Sequence, residues 1–69
     1  MINVKLGTRF KVKTNSALGV LTVVKIGELV DEFGDKTGIK AAKYVDENGA
    51  PRGCTRLDHF SGEFFELVE

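Results

Sequence analysis

Cysteine, tryptophan and tyrosine are scarce in this chain of 69 residues, which contains one Cys, one Tyr and no Trp. A single cysteine excludes an intrachain disulfide, and a lone thiol is typical of a reducing compartment, so we expect a cytoplasmic protein. The N-terminal stretch MINVKLGTRF has no long apolar run and predicts neither a signal peptide nor a membrane span. We therefore expect a soluble protein with no membrane partner.

Signatures of catalysis are also missing. Cys54, Asp58 and His59 lie close in sequence, and a Cys/His pair can form an activated thiolate. However, Cys54 and His59 have opposite strand parity, and the chain bends after Leu57. A domain this small has no obvious cleft for a substrate. We predict that the protein is not an enzyme.

Motifs for metals and phosphate are incomplete. One Cys and one His cannot supply the four ligands that structural zinc prefers. In VDENG, Asp46 and Asn48 have the spacing of a calcium loop, but Leu57 stands where the loop needs its last acid. In GDKTG, Asp35 separates the glycine and lysine that a phosphate loop keeps adjacent. We predict no metal site and no cofactor.

The charges sum to zero but are unevenly distributed. Residues 1–27 contain five bases and no acid, whereas residues 28–69 contain five bases and all ten acids. Overall neutrality argues against a general nucleic-acid binder, because such modules are commonly basic. It still allows one face of the protein to be basic.

The first segment alternates with the period of two that is typical of a strand with one buried and one solvated face. Gly7 and Thr8 predict a bend or bulge that separates a lead-in from a main strand near residues 9–13. The even, apolar positions are Ile2, Val4, Leu6, Phe10 and Val12. The odd, polar positions are Asn3, Lys5, Arg9, Lys11 and Lys13.

Three further segments have strand composition. GVLTVVKIG is β-branched and apolar on both faces, which predicts a central strand. Residues 39–45 and 52–57 form two more predicted strands, joined at Asn48-Gly49 by a signal for a type I′ turn. Pro51 is expected to face solvent or an edge, since it cannot donate a ladder hydrogen bond.

Residues 27–38 are compatible with a short helix or with a hairpin loop. Gly27 and Gly34 enclose only six residues, which is short for a helix. We favour the loop, with Leu29 or Val30 and with Phe33 tucked against the rest of the domain.

The C-terminal stretch LDHFSGEFFELVE predicts a turn followed by a strand. Residues 58–62 lack a strand pattern and favour one 3₁₀ turn, and residues 64–68 form the last strand. We expect Phe65 and Leu67 to point inward and Phe64, Glu66 and Val68 to point outward. The whole sequence, residues 1–69, thus predicts a single all-β domain, a small antiparallel barrel of about five strands.

That order of elements, ending in DHFSGEFFELVE, resembles the SH3-like small barrels, among them SH3, Tudor and KOW modules, over about residues 8–68. The ALYDY-type motif and the groove tryptophan of signalling SH3 domains are absent, and the glycine spacing of KOW is not met. The resemblance implies a barrel that acts by binding. The chain also looks like the compact stand-alone proteins of bacteriophages and bacteria, many of which grip a partner protein as regulators or inhibitors.

A basic stripe in the first strand is the clearest functional pattern. Arg9, Lys11 and Lys13 share one strand face at a spacing of about 7 Å. Such a stripe suits an acidic protein surface or a nucleic-acid backbone, or is a solvated face balanced by neighbouring acids. Candidates for extending the stripe are Lys25, Lys40, Tyr44 and Arg56, and candidates for balancing it are Glu63, Glu66 and Glu69.

We predict a non-catalytic binding module whose partner is another protein. The alternative is a KOW/Tudor-like module that binds nucleic acid, with Tyr44 offering a ring for stacking. An open sheet edge beside Phe64 and Val68 would also accept a second copy of the chain. The predicted binding residues are Arg9, Lys11 and Lys13 for electrostatic contact and Tyr44, Phe60 and Phe64 as apolar anchors.

Overall fold

Five strands and two 3₁₀ turns make up the protein in the computed structural model, which describes residues 3–68. The expectations for Ile2 and Glu69 lie outside the described residues. The all-β fold and the 3₁₀ turn before the last strand are confirmed. The strands are β1 (Arg9–Val12), β2 (Leu21–Val30), β3 (Lys36–Val45), β4 (Pro51–Arg56) and β5 (Phe65–Val68), and the 3₁₀ turns are Ser16–Leu18 and Leu57–His59.

All five strands join one antiparallel sheet in the order β4-β3-β2-β1-β5. Consecutive strands up to β4 are neighbours, and β5 returns to the far side of β1, so that Phe10 lies opposite both Leu21 and Leu67. Within residues 3–68 the edge strands β4 and β5 do not pair with each other. The sheet is therefore not closed, so the expected barrel is a loose one. Pro51 lies exposed on the edge strand β4, as its missing N–H predicts.

Aromatic rings form the centre of the core. The ring of Phe10 is fully buried and meets Tyr44, Phe60 and Phe65 edge-on, at centroid distances of 5.1, 5.3 and 5.7 Å. Edge-to-face pairs add about 0.5–1.5 kcal/mol each beyond the burial of their area. The aliphatic residues buried with these rings are Leu21, Val23 and Ala42. Phe60, in the segment between β4 and β5, thus covers the core side of the open sheet.

The alternation predicted for the first segment holds for β1 and fails before it. Phe10 is buried and Val12 is half-buried, while Arg9 and Lys11 are exposed. Leu6 was expected inside but is exposed, because the chain turns at Gly7, whose φ is +85°. That turn breaks the strand geometry on which the period of two depends.

Residues 26–40 form a protruding hairpin, here called the β2–β3 ribbon. In β2, the pairs with β1 involve only Leu21 and Thr22, and the pairing of β3 with β4 ends at Ala41. The far halves of β2 and β3 are therefore paired only with each other among the described residues. The expectation that Leu29 or Val30 and Phe33 tuck against the domain is wrong, because all three are exposed along or at the end of this ribbon.

The two hairpin turns, at residues 31–35 and 46–50, are built alike. In the first, one carboxylate oxygen of Asp31 accepts hydrogen bonds from the backbone N–H groups of Phe33 and Asp35, both at 2.9 Å. In the second, Asp46 accepts in the same way from residues 48 and 50, also at 2.9 Å. The fourth residue of each turn is a glycine with positive φ, +84° at Gly34 and +81° at Gly49.

The type I′ turn expected at Asn48-Gly49 is not formed. A type I′ turn requires positive φ at both central residues. Gly49 has positive φ, but among the described residues every residue with positive φ is a glycine, which excludes Asn48. The carboxylate of Asp46 holds the backbone in the alternative turn by accepting two backbone N–H groups.

Candidate functional site

The register of the sheet defines its outer face. One row of directly opposed residues crosses all five strands and consists of Val68, Arg9, Thr22, Val45 and Pro51. Side chains directly opposite each other lie on the same face of a sheet, and neighbours along a strand alternate. Because the adjacent residues Phe10 and Leu21 are buried in the core, this row lies on the outer face.

The predicted stripe of cations is on that face. Arg9 and Lys11 flank the buried Phe10 and are exposed, and Lys11 lies opposite Glu66 of β5. Lys13 follows β1, and its backbone N–H donates to the carbonyl of Phe64 at 2.8 Å. The side-chain Nζ of Lys13 donates to the carbonyl of Gly62 at 2.6 Å, so this lysine also fastens the turn before β5.

Two further lysines extend the stripe across the centre of the sheet. Lys25 of β2 lies directly opposite Lys43 of β3, and Lys43 lies opposite Cys54 of β4. A register shift between Val23 and Lys25 leaves Val24 as an extra residue, and this bulge turns Lys25 outward. Like charges directly opposite each other destabilise a sheet, so this pair is an electrostatic cost within the fold.

We call the outward cations of the sheet the basic face. None of them forms an ion pair with another of the residues 3–68, where the ion pairs are those of Arg52 with Asp46 and of Arg56 and His59 with Asp58. Glu66 is the acidic side chain that this part of the sheet places among them. The basic face consists of Arg9, Lys11, Lys13, Lys25 and Lys43.

An apolar hollow lies beside the lysine pair. Val24 is 53% exposed although it is a large aliphatic residue in the middle of a sheet. Its neighbours in the hollow are Val45 and Pro51, with Tyr44, Gly53, Lys43 and the exposed Cys54 completing the lining. The outer face therefore presents aliphatic surface directly next to cationic side chains.

Phe64 lies at the other end of the basic face. It is exposed, and its backbone bond to Lys13 places it opposite that lysine. Val68, its expected apolar companion, is half-buried opposite Arg9. The outward orientation expected for residues 64, 66 and 68 agrees with this register.

Tyr44 and Phe60 are not surface anchors in this structure. Phe60 is 1% exposed and belongs to the core. Tyr44 is on the core face, with its ring against Phe10 and its hydroxyl hydrogen-bonded to Thr55 Oγ1 at 2.9 Å. Strand alternation explains the result for Tyr44, because Ala42 and Tyr44 of β3 point inward and Lys43 between them points outward.

Lys40 and Arg56 do not extend the basic stripe as free cations. Lys40 lies opposite Glu28 on the β2–β3 ribbon, and strand alternation places it on the opposite face of β3 from the basic face. Arg56 donates two hydrogen bonds to Asp58, at 2.7 and 3.0 Å. These hydrogen bonds hold the pKa of Asp58 below its ordinary value, which means that the Arg56 charge is already matched.

Two other kinds of feature are lacking among residues 3–68. These residues contain no cluster of three or more His, Cys, Asp or Glu side chains placed to hold a metal ion. They also include no helix with the length and apolarity needed to cross a membrane. No protein-family model, curated protein or solved structure matches the chain. The basic face with its apolar hollow is therefore the candidate site.

Proposed function

We propose that this chain is an SH3-like, non-catalytic module that binds an acidic surface of another protein through its basic face. The observation that carries the proposal is the opposition of Lys25 and Lys43 beside the hollow formed by Val24, Val45 and Pro51. The strand order and the 3₁₀ turn before β5 support the SH3-like assignment. The lone thiol supports a cytoplasmic location.

The lysine pair is suited to an anionic partner. Two ammonium groups on opposing residues repel each other, and a carboxylate placed between them relieves that repulsion in the complex. The adjacent hollow offers aliphatic surface that a partner's apolar side chain would bury, and such burial is worth about 25 cal/mol per Å². The charges then give specificity for an acidic partner, and the burial of apolar surface adds affinity. Binding of this kind occupies the partner's surface, which is how a non-catalytic regulator or inhibitor acts.

The composition of this face favours a protein over a nucleic acid. Single-stranded nucleic acids are held by aromatic rings on which successive bases stack. Among residues 3–68, Phe64 is the exposed ring beside the basic face, and Tyr44 points into the core. The hollow is lined mainly by non-aromatic residues, with Tyr44 as the one aromatic residue in its lining, and the chain has no net positive charge.

Affinity purification from the native cell extract tests this proposal. The variant Lys11→Glu with Lys43→Glu reverses two charges on the basic face. Lys5→Glu with Lys40→Glu makes the same change of net charge at exposed lysines outside the basic face and serves as the matched control. We expect the face variant to lose a partner protein that the wild type and the control both retain. Equal retention by all three proteins contradicts the proposal.

Nuclease treatment and a gel shift address the alternative. A partner that binds through protein contacts survives nuclease treatment of the extract. If nuclease removes every captured protein, and the wild type shifts a single-stranded oligonucleotide with affinity that falls steeply with salt, the basic face binds nucleic acid instead. Absence of a shift at low salt removes that alternative.

A further inference from the structure

The end of the β2–β3 ribbon exposes apolar side chains that no described part of the domain covers. Phe33 is 80% exposed and Val30 is 60% exposed, and Leu29 lies beside them. Exposed single residues need no explanation, but three within five positions at one protruding end mark an interaction surface. We call residues 28–36 the ribbon tip.

The fold does not need a phenylalanine at the apex. The turns VDEFG and VDENG have the same hydrogen bonds and the same positive-φ glycine, although Phe33 in the first corresponds to Asn48 in the second. Both residues contribute only their backbone N–H to the Asp carboxylate. The exposed ring of Phe33 therefore has no structural role in its own turn.

The tip is held in a defined shape. Besides the bonds to Asp31, the hydroxyl of Thr37 donates to the carbonyl of Leu29 at 2.9 Å. The carboxylate of Glu28 accepts from the backbone N–H of Gly38 at 3.2 Å, which braces the irregular part of the ladder. A preorganised tip loses less conformational entropy when it binds.

The charge of the tip is opposite to that of the basic face. The tip carries four carboxylates and one lysine, a net charge of −3. Glu32 and Asp35 flank the exposed ring on both sides along the chain. The basic face carries five cations and one acid, and its Lys43 borders the apolar hollow. An apolar ring between acids thus matches an apolar hollow beside lysines, which is the complementarity expected of two docking surfaces.

We propose that the ribbon tip of one copy of this chain docks on the basic face of a second copy. Phe33 enters the hollow at Val24, and the acids beside it face Lys25 and Lys43. The proposal rests on the basic face assigned above and names a second occupant for it. Self-association then regulates the proposed function, because an acidic partner must displace the tip before it can bind.

The proposed contact joins two different surfaces, so it is heterologous. Each copy keeps a free tip at one end and a free basic face at the other, and association can continue to a ring or a chain. This geometry gives a test that a symmetric tip-to-tip contact would not pass. A copy without a working tip and a copy without a working face should each be monomeric alone but should form one contact when mixed.

Sedimentation velocity at low salt, with reductant to keep Cys54 reduced, measures the association. The tip variant is Glu32→Lys with Phe33→Ser, and the face variant is Lys25→Glu with Lys43→Glu. The twin turn supplies the matched control, Glu47→Lys with Asn48→Ser. We expect the wild type and the control to associate with rising concentration, and each of the two variants to be monomeric. An equimolar mixture of the tip and face variants should form a heterodimer and stop there.

Several outcomes would overturn the proposal, and they can be told apart from a failure of the proposed function. A monomeric wild type at all concentrations rules out the contact, and a face variant that still associates indicates a tip-to-tip contact instead. An equimolar mixture of the tip and face variants that stays monomeric also contradicts the proposal. In each case the affinity purification still reports on the basic face, since the tip variant, which keeps that face, should capture the acidic partner at least as well as the wild type. Circular dichroism of each variant confirms that it is folded.

Discussion

The same substitution at two phenylalanines should have opposite consequences. Phe60 is 1% exposed, and its ring lies 5.3 Å from that of Phe10 and 4.8 Å from that of Phe65. Truncation of a buried Phe to Ala typically costs about 3–5 kcal/mol, because apolar burial is lost and a cavity remains. A domain of this length has a free energy of unfolding of about 3–10 kcal/mol. Phe60→Ala should therefore lose a large part of the stability and be partly unfolded at 25 °C.

Phe33→Ala should change the free energy of unfolding by less than about 0.5 kcal/mol, because the ring is 80% exposed. Urea denaturation followed by far-ultraviolet circular dichroism measures both variants. The experiment is done on dilute protein, because association of the wild type would add to its apparent stability. Sedimentation at the higher concentrations where the wild type associates should show lost association for Phe33→Ala.

Two results would refute this reasoning. A Phe60→Ala variant with a wild-type denaturation midpoint would place Phe60 outside the core and restore it as a candidate surface anchor. A Phe33→Ala variant destabilised by more than about 1 kcal/mol would mean that the ribbon tip packs on its own domain. The second result would also remove the ring from the proposed contact between copies.

Three further predictions concern the hydrogen bonds of the sheet and its turns. Tyr44→Phe should lower the free energy of unfolding by about 1 kcal/mol, because it removes the hydrogen bond of 2.9 Å between the Tyr44 hydroxyl and Thr55 Oγ1. An unchanged midpoint in urea denaturation would contradict a stabilising role for this hydrogen bond. The pKa of Asp46 lies below its ordinary value, chiefly because the backbone N–H of Ala50 donates to its carboxylate. The folded state thus binds fewer protons than the unfolded state, so this stabilisation is present above the unfolded pKa and is lost as pH falls through the folded pKa. The free energy of unfolding of Asp46→Asn should therefore fall less between about pH 7 and about pH 2 than that of the wild type. An equal fall in both proteins would contradict the assignment. Gly34→Ala and Gly49→Ala should each lower the free energy of unfolding by about 1–2 kcal/mol, since both glycines have positive φ. A decrease for only one of the two variants would show that the turns are not equivalent.

Local patterns predicted most of the strand architecture. The period of two identified β1 and the outward orientation of Arg9 and Lys11, because alternation is a property of the strand alone. The turn after β3 was located correctly at residues 48 and 49, although its type was wrong. The sequence favours a hairpin loop at residues 27–38 but does not predict that its arms are paired strands, although it contains a signal for the turn between them. The repeat of VDE-x-G at residues 30–34 and 45–49 shows that both segments form the same tight turn.

The parts of the site that were not predicted depend on contacts between distant residues. Lys25 lies opposite Lys43 on the basic face only because a bulge at Val24 turns Lys25 outward, and no local pattern specifies a bulge at that position. Phe60 was assigned to the surface because a turn residue has no strand parity. Its burial follows from the sheet being open on the core side, where its ring covers Phe10.

The pairing of β1 with β5 has a consequence for how fast the protein folds. Residues 9–12 meet residues 65–68, so this ladder joins segments that are far apart along the chain, whereas the β2–β3 ribbon closes on a turn of five residues. Closing a long loop costs more chain entropy than closing a short one, and domains rich in distant pairings fold slowly. The ribbon should thus assemble early and the β1–β5 ladder late, making that ladder the rate-limiting step of folding.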